Sequence, residues 1–365
     1  MQTKAAVYVE FGKPMVIDDI QLPDPGPTQV EVRLFASGIC HSQLHQLGRP
    51  NSPVPMVLGH EATGVVTRAG REVTYVQPGD HVMMGIVQRN ILDPVQPVVA
   101  HVTYRGQEVT FGGPTYIGMY TWCEHTVVDQ QMLVKFDKDL ATDVTSIVGC
   151  AVLAGAGAAL NAAQVRAGQS VAVFGGGGVG LSIVQACANS GASPIIVVDL
   201  ADDKLDFARQ FGATVGVNAS KVDPVAAIRE IMGGTPLSGV DFAFDAIGLA
   251  TTSEQALQAT RGRQIWEREG GTAVIVGVPH GPPAVPDLAL ISHGRVMRGA
   301  PGGIGWPERD YPRYLQWYRD GKLPLDRLVS QRFTLDQVNE ACDALQHGQI
   351  AGRAIIEYGD GGNGR

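Results

Sequence analysis

The sequence predicts an α/β protein in which a doubly wound parallel-sheet domain is inserted into a second domain built on a small β-barrel. Three observations lead there. Residues 1–140 read as short strands separated by turns, with few helices. From residue 150 the rhythm changes to strand, helix, strand at the spacing of βαβ units, which call for a parallel sheet covered on both faces. After Gly302-Gly303 the chain turns helical again and closes on a candidate strand at 353–358. The expected domains are therefore 1–151 plus 302–365 for the barrel and 152–301 for the parallel sheet, a natural division of 365 residues.

In the first part, 4–10, 15–22 and 29–36 are rich in β-branched residues and are split by Gly12-Lys13-Pro14 and Pro23-Asp24-Pro25-Gly26-Pro27. Strands at 62–67, 81–84, 125–128 and 133–136 follow. In the second part, strands at 170–174, 194–200, 214–217, 241–245, 272–276 and 295–299 are interleaved with helices at 179–190, 202–211, 224–232 and near 252–260. Helices at 311–319 and 335–347 belong to the closing segment, and the tail 359–365 reads as disordered.

Composition narrows the function. Hydrophobic residues make up 44% and charged residues 18%, which supports a packed core and excludes wholesale disorder. No apolar run reaches the roughly 18 residues of a membrane span, and the start of the chain is too short and too β-like for a signal peptide. A net charge of −8 argues against a nucleic-acid partner. Five cysteines, at 40, 123, 150, 187 and 342, are too few and too scattered for a disulfide framework. They suit a reducing, cytoplasmic setting in which thiolates are free to bind metal; Cys187 and Cys342 read as core residues.

The run Phe174-Gly175-Gly176-Gly177-Gly178-Val179-Gly180 follows a strand and opens a helix. Gly175, Gly177 and Gly180 fit G-x-G-x-x-G, supplying a tight turn, backbone access for a pyrophosphate and close helix–strand packing. Gly178 and Val179 begin the helix, whose N-terminus would face the phosphates. The next strand ends in Asp199, a carboxylate able to bond the adenosine ribose hydroxyls and to repel a 2′-phosphate, so NAD is expected rather than NADP. Lys204 lies within reach of the same ribose.

Gly38-Ile39-Cys40-His41-Ser42-Gln43-Leu44-His45, Gly59-His60-Glu61 and Cys150 carry the second signal. A catalytic zinc needs three protein ligands and one exchangeable position. Cys40, His60 and Cys150 make a Cys₂His set, with Glu61 as a further ligand or as a neighbour of the ligands.

With these motifs the chain resembles the zinc-dependent medium-chain dehydrogenases, in their alcohol dehydrogenase branch. Gly59-His60-Glu61-Ala62-Thr63-Gly64, Pro78-Gly79-Asp80-His81, Gly149-Cys150 and Val276-Gly277-Val278-Pro279 are further landmarks. Tyr104-Arg105-Gly106 and Thr126-Val127-Val128 point to the aryl-alcohol and class III-like members. The resemblance implies a GroES-like catalytic domain around an inserted Rossmann domain. It places Ser42 at the alcohol hydroxyl and His45 at the outer end of a proton relay through the nicotinamide ribose. His41 and Arg353 fall at the coenzyme pyrophosphate, and Val179, Val276 and Val278 at the nicotinamide side of the coenzyme site. Ile86, Trp122 and Cys123 would line the substrate cleft.

Departures from the family pattern matter as much. The stretch 85–118, where the family holds a structural zinc on four cysteines, contains no cysteine, so one catalytic zinc per chain is expected. Gln43 and Ala154 stand where the family often has Asp and Thr. An apolar cleft and the lack of a basic cluster favour aryl or medium-chain alcohols over glutathione adducts. The expected activity is reversible hydride transfer between NAD and an apolar primary or secondary alcohol and its aldehyde or ketone, in a homodimer or homotetramer. Two rivals share the scaffold: a zinc-independent reductase of an enone or imine, and a non-enzymatic dinucleotide-binding protein. The ligand set and the Ser42–His45 pair argue against the first; metal analysis separates both.

Overall fold

The computed structural model describes residues 1–111, 118–279, 281 and 292–359; the expected disordered tail lies outside the described residues from 360 on. The described chain divides into two compact units, 1–150 with 306–319 and 325–365, and 151–305 with 320–324. Among the described residues the strands form three sheets.

The first unit holds two of them. A five-stranded sheet runs β4 (Met56–Val57), β1 (Gln2–Tyr8), β2 (Val16–Gln21), β7 (Thr103–Tyr104), β8 (Gln107–Glu108). The larger sheet is ordered β10 (Leu133–Lys135), β6 (His81–Met84), β5 (Ala62–Ala69), β3 (Gln29–Ile39), β18 (Arg353–Glu357), β17 (Val329–Thr334), with β9 (His125–Asp129) also paired to β3. The C-terminal strand β18 thus docks antiparallel on β3, matching Ala354 to Ile39, which brings the end of the chain beside the Gly38–Cys40 segment. Bulges between Glu31 and Val32 and between Leu34 and Ala36 bend β3, a common device for curling a sheet. Ala5, Val7, Val30, Val32, Leu34, Val66, Trp122, Cys123 and Ile356 fill the core between these strands.

The second unit carries a parallel sheet in the order β13 (Val215–Asn218), β12 (Ile195–Asp199), β11 (Val171–Phe174), β14 (Phe242–Asp245), β15 (Thr272–Ile275), β16 (Val296–Gly299). Every pairing in it is parallel. This is the 3-2-1-4-5-6 order of the dinucleotide-binding fold, with the reversal between β11 and β14. The strand sequences Val-Ala-Val-Phe and Ile-Ile-Val-Val-Asp are nearly all buried, as a sheet covered on both faces requires. Helices α3 (Gly178–Asn189), α4 (Asp202–Arg209), α5 (Pro224–Ile231) and α6 (Ala250–Ala259) make the crossovers. Asp223 caps α5 by accepting the Ala226 N–H at 2.7 Å, with Pro224 in the first turn.

The structure adds elements that sequence patterning did not supply. Helix α1 (His41–Leu47) follows β3 directly, and α2 (Ala151–Gly157) runs into a π-helical turn at Ala158–Ala163. After the short helix α8 (Leu325–Leu328), the expected helix at 335–347 is a 3-10 turn, Leu335–Gln337, followed by α9 (Val338–Gln346).

Candidate metal centre and dinucleotide loop

Cys40 follows β3 as the N-cap of α1, His60 stands just before β5, and Cys150 closes the first segment of the first unit. The folding of the barrel brings one ligand atom from each within 4.8 Å of the others, and all three residues are buried. The Cys40 and Cys150 sulfurs are 4.0 Å apart; zinc–sulfur bonds of about 2.3 Å at a tetrahedral angle place two sulfurs about 3.8 Å apart. The donor set therefore fits zinc in chemistry and in spacing. The Cys150 thiol hydrogen-bonds Cys40, so the first proton is lost from Cys40, well below the ordinary thiol range, and the second is held back on Cys150. Two thiolates would balance the charge of a divalent ion.

Glu61 is not one of the three gathered ligand residues. Its Oε1 is paired with the Arg353 guanidinium, both side chains being buried. Burial pushes the Glu61 carboxyl up while Arg353 pulls it down. Burial also works against the Arg353 charge, but Glu61, Cys40 and Cys150 more than restore it. A buried carboxylate needs such a cation, and Gly38 makes room, since a methyl there would collide with Glu61 Oε1. Arg353, read from sequence as a pyrophosphate base, thus spends its charge in this structure on Glu61.

Helix α1 presents two faces. Gln43 and Gln46 point inward and are buried, and Gln43 Oε1 accepts the Cys40 N–H at 3.0 Å. His41, Leu44 and His45 line a cavity of about 380 Å³ with Tyr8, Lys13 and Met15. Ser42, 9% exposed, lies two residues beyond Cys40.

In the second unit, the glycine run leaves the C-terminal end of β11 and enters α3 with Gly177 at the N-cap. Gly180 packs so closely that a methyl would strike the Gly175 carbonyl. Asp199 does more than wait for a ribose: its Oδ2 accepts the Gly176 N–H at 2.8 Å and its Oδ1 the Leu200 N–H at 2.7 Å. The acid at the end of β12 therefore also braces the glycine turn. Lys204 lies beside Gly176. Val276 donates its N–H to the Asp245 carbonyl at 2.9 Å, and Val278 is 44% exposed.

Comparison with known proteins agrees with this pairing of a thiolate–imidazole cluster and a dinucleotide loop. The alcohol dehydrogenase GroES-like domain matches residues 26–138, and the zinc-binding dehydrogenase domain matches 178–320. The chain is 32% identical to the class-3 alcohol dehydrogenase of Cereibacter sphaeroides, over 98% of this chain and 100% of that one. It belongs to the zinc-binding alcohol dehydrogenase family. It is also 32% identical to the S-(hydroxymethyl)glutathione dehydrogenase of Paracoccus denitrificans, with the same coverage of both chains. Among solved structures, the benzyl alcohol dehydrogenase of Acinetobacter calcoaceticus is similar with a TM-score of 0.85, at 28% identity over 98% of this chain and 99% of that one. Within this family, zinc and NAD are the cofactors of the alcohol dehydrogenase chemistry, and the Cys40–His60–Cys150 cluster is consistent with the catalytic zinc.

For a family member, the expected cleft residues fall in two environments. Ile86 is half-buried and donates its N–H to the Gly149 carbonyl at 3.3 Å, next to Cys150. Trp122 and Cys123 are wholly enclosed in the barrel core; the indole N–H reaches the Gly38 carbonyl at 3.3 Å, and burial pushes the Cys123 thiol up. Cys187 and Cys342 are buried too, and no cysteine is in a disulfide. Among the described residues no helix is long and apolar enough to cross a membrane.

Two residues that sequence reasoning missed help build the sites. Asp245 is wholly buried at the end of β14, where Oδ1 accepts the Ile247 and Gly248 N–H groups at 2.9 and 3.0 Å and Oδ2 the Ser253 hydroxyl at 2.6 Å. Its signal was available: an apolar strand ending in Asp, as at Asp199. Tyr311, from α7 (Pro307–Arg319), brings its hydroxyl to 3.4 Å from the Gly149 carbonyl, and no local pattern announces that contact.

Proposed function

We propose that this zinc-dependent alcohol dehydrogenase oxidises apolar primary or secondary alcohols, aryl or medium-chain, to the aldehyde or ketone with NAD, and runs the reduction in reverse. The observation that carries the reading is the convergence of Cys40, His60 and Cys150, three ligands that leave a fourth position for substrate. When bound, zinc supplies Lewis acidity that lowers the pKa of the alcohol hydroxyl, and NAD accepts the hydride. The chain's own residues orient the reactants and move the proton. Ser42 Oγ accepts the hydroxyl proton as it gives up its own, the nicotinamide ribose hydroxyl of bound coenzyme would carry the charge on, and His45 releases a proton to the cavity it lines. His41, in the same helix, faces the coenzyme pyrophosphate. Gly175, Gly177, Gly178, Val179 and Gly180 hold the coenzyme phosphates, Asp199 and Lys204 its adenosine ribose, and Val276 and Val278 flank the nicotinamide. Ile86 meets the apolar part of the substrate, backed by Trp122 and Cys123. The Glu61–Arg353 pair keeps the ligands in place. The protein works in the cytoplasm as a homodimer or homotetramer.

The 32% identity to an S-(hydroxymethyl)glutathione dehydrogenase favours a second reading, in which the substrate is that adduct. A panel of benzyl alcohol, 1-octanol, 2-octanol and S-(hydroxymethyl)glutathione, assayed with NAD and with NADP, decides between them. Benzyl alcohol or an octanol with NAD is expected to exceed the glutathione adduct by at least about tenfold in kcat/KM, the scale of modest pocket discrimination. The adduct as best substrate would overturn the apolar-alcohol reading and leave the metal chemistry intact.

A further inference from the structure

The second unit carries a cluster of bases at the end of its sheet away from the glycine loop. Arg295 stands just before β16, and Arg229 is in the last turn of α5. Both reach the C-terminal end of α6. Arg229 Nη2 donates to the Gln258 carbonyl at 3.0 Å, and Arg295 Nε to the Thr260 carbonyl at 2.9 Å. His293 Nδ1 lies 3.2 Å from Arg295 Nη1. The chain beside them enters the strands: Arg261 donates its N–H to the Val240 carbonyl ahead of β14, and Val296 to the Gly271 carbonyl ahead of β15. The glycine loop leaves the other end of this parallel sheet, at the C-terminus of β11.

The C-terminus of a helix accounts for one bond from each arginine. It does not account for the rest. Arg295 is 5% exposed, yet its Nη2 has no hydrogen-bond partner among the described residues, and neither has the buried Nε of Arg229. Burial and the Arg229 charge both hold Arg295 below the usual arginine range, with no acid among the described residues to offset them. Asp241 and Glu267, the acids of the neighbouring turn, are taken by Arg261. A buried cation without a counter-charge is costly, so two unused guanidinium donors side by side call for an anion. We propose that this cluster binds a tetrahedral oxyanion of the phosphate type, held by Arg295 Nη2 and Arg229 Nε with His293 at its edge. Two guanidinium charges match a phosphate dianion, and donors from two separate elements suit its four oxygens better than a flat carboxylate, which one guanidinium fork satisfies. Arg229 and His293 are half-buried, so the cluster reaches the surface on their side.

The probe is inorganic phosphate, titrated by calorimetry into the zinc-loaded protein at saturating NAD, so that the glycine loop is already filled, with sodium chloride balancing the ionic strength. Wild type, Arg295→Met, Arg229→Met and Arg71→Met are compared; Arg71 is the control, exposed, paired with Glu72 and part of the other unit. Wild type is expected to bind one phosphate per chain with a Kd of about 1 mM, and its unfolding midpoint to rise with phosphate concentration. Arg295→Met and Arg229→Met should each weaken binding by about tenfold or more, the scale of one charge-assisted hydrogen bond. Arg71→Met should match wild type, and acetate should bind wild type at least about tenfold more weakly than phosphate. No phosphate binding to wild type at saturating NAD, unchanged binding in either folded arginine variant, or acetate as tight as phosphate would overturn the proposal. If Arg295→Met does not fold, Arg229→Met decides alone.

Discussion

The metal centre draws its residues from across the chain, whereas the dinucleotide loop is one short run closed by a single acid. Cys40 and Cys150 are 110 residues apart and Glu61 and Arg353 are 292 apart, yet each pair touches. In the loop, the longest link is the Gly176–Asp199 bond, 23 residues long. The centre depends on how a whole barrel closes, including the docking of β18 on β3; the loop depends on backbone room at a few glycines. Damage to one should therefore leave the other measurable, which offers a way to break the comparison.

Within the dinucleotide loop, the largest effect is expected from Gly180→Ala. The new methyl would strike the Gly175 carbonyl, which is backbone and cannot swing aside. Overpacking typically costs about 1–3 kcal/mol; with backbone as the obstacle the upper end applies, and NAD affinity should fall by about 100-fold. Calorimetric NAD titration and zinc analysis on the same sample check it; the account expects lost NAD binding with zinc retained, and loss of zinc in parallel would show the two sites are not independent. In Gly177→Ala the methyl meets nothing within 4 Å, so the unfolding midpoint should stay put. Any loss of NAD affinity, about tenfold or less, would come from the methyl facing the phosphates.

Between these lies Asp199→Ala. A hydrogen bond to a charged group is worth about 1.5–3 kcal/mol, so the NAD-over-NADP ratio of kcat/KM should drop roughly 10- to 100-fold. NAD affinity should weaken as well, because the Gly176 and Leu200 N–H groups lose their acceptor. An unchanged ratio would mean that Asp199 only braces the turn.

The same contrast explains what could be read from the sequence. The glycine loop was legible because its requirements are local: tight backbone approach at Gly180, an apolar strand before it and an acid after the next strand. The parallel-sheet strands were legible for the same reason, as short β-branched runs. Cys150 as a partner of Cys40 was read from donor chemistry, as the third member of a Cys₂His set, and strengthened by family resemblance, since nothing in the intervening residues announces that they meet. The Glu61–Arg353 pair was missed for the same cause: each charge had a plausible local role, and only the fold shows that one buries the other. Helix α2 and the π-turn after it, Ala-Val-Leu-Ala-Gly-Ala-Gly-Ala-Ala-Leu-Asn-Ala-Ala, are buried almost all round, so they show no 3.6-residue period. The complete burial of Trp122 was not announced either, since only the fold supplies the Gly38 carbonyl that its N–H meets.

The most direct test of the central claim is the zinc content of the purified protein, measured with activity in wild type, Cys40→Ser and Cys150→Ser. The stretch 85–118 offers no cysteine for a second site. Wild type should hold one zinc per chain, and each serine variant should lose the metal together with at least about 10³-fold in kcat/KM, the scale of several kcal/mol of Lewis-acid stabilisation. Two firmly held zincs per chain, or full alcohol dehydrogenase activity without zinc, would contradict the account.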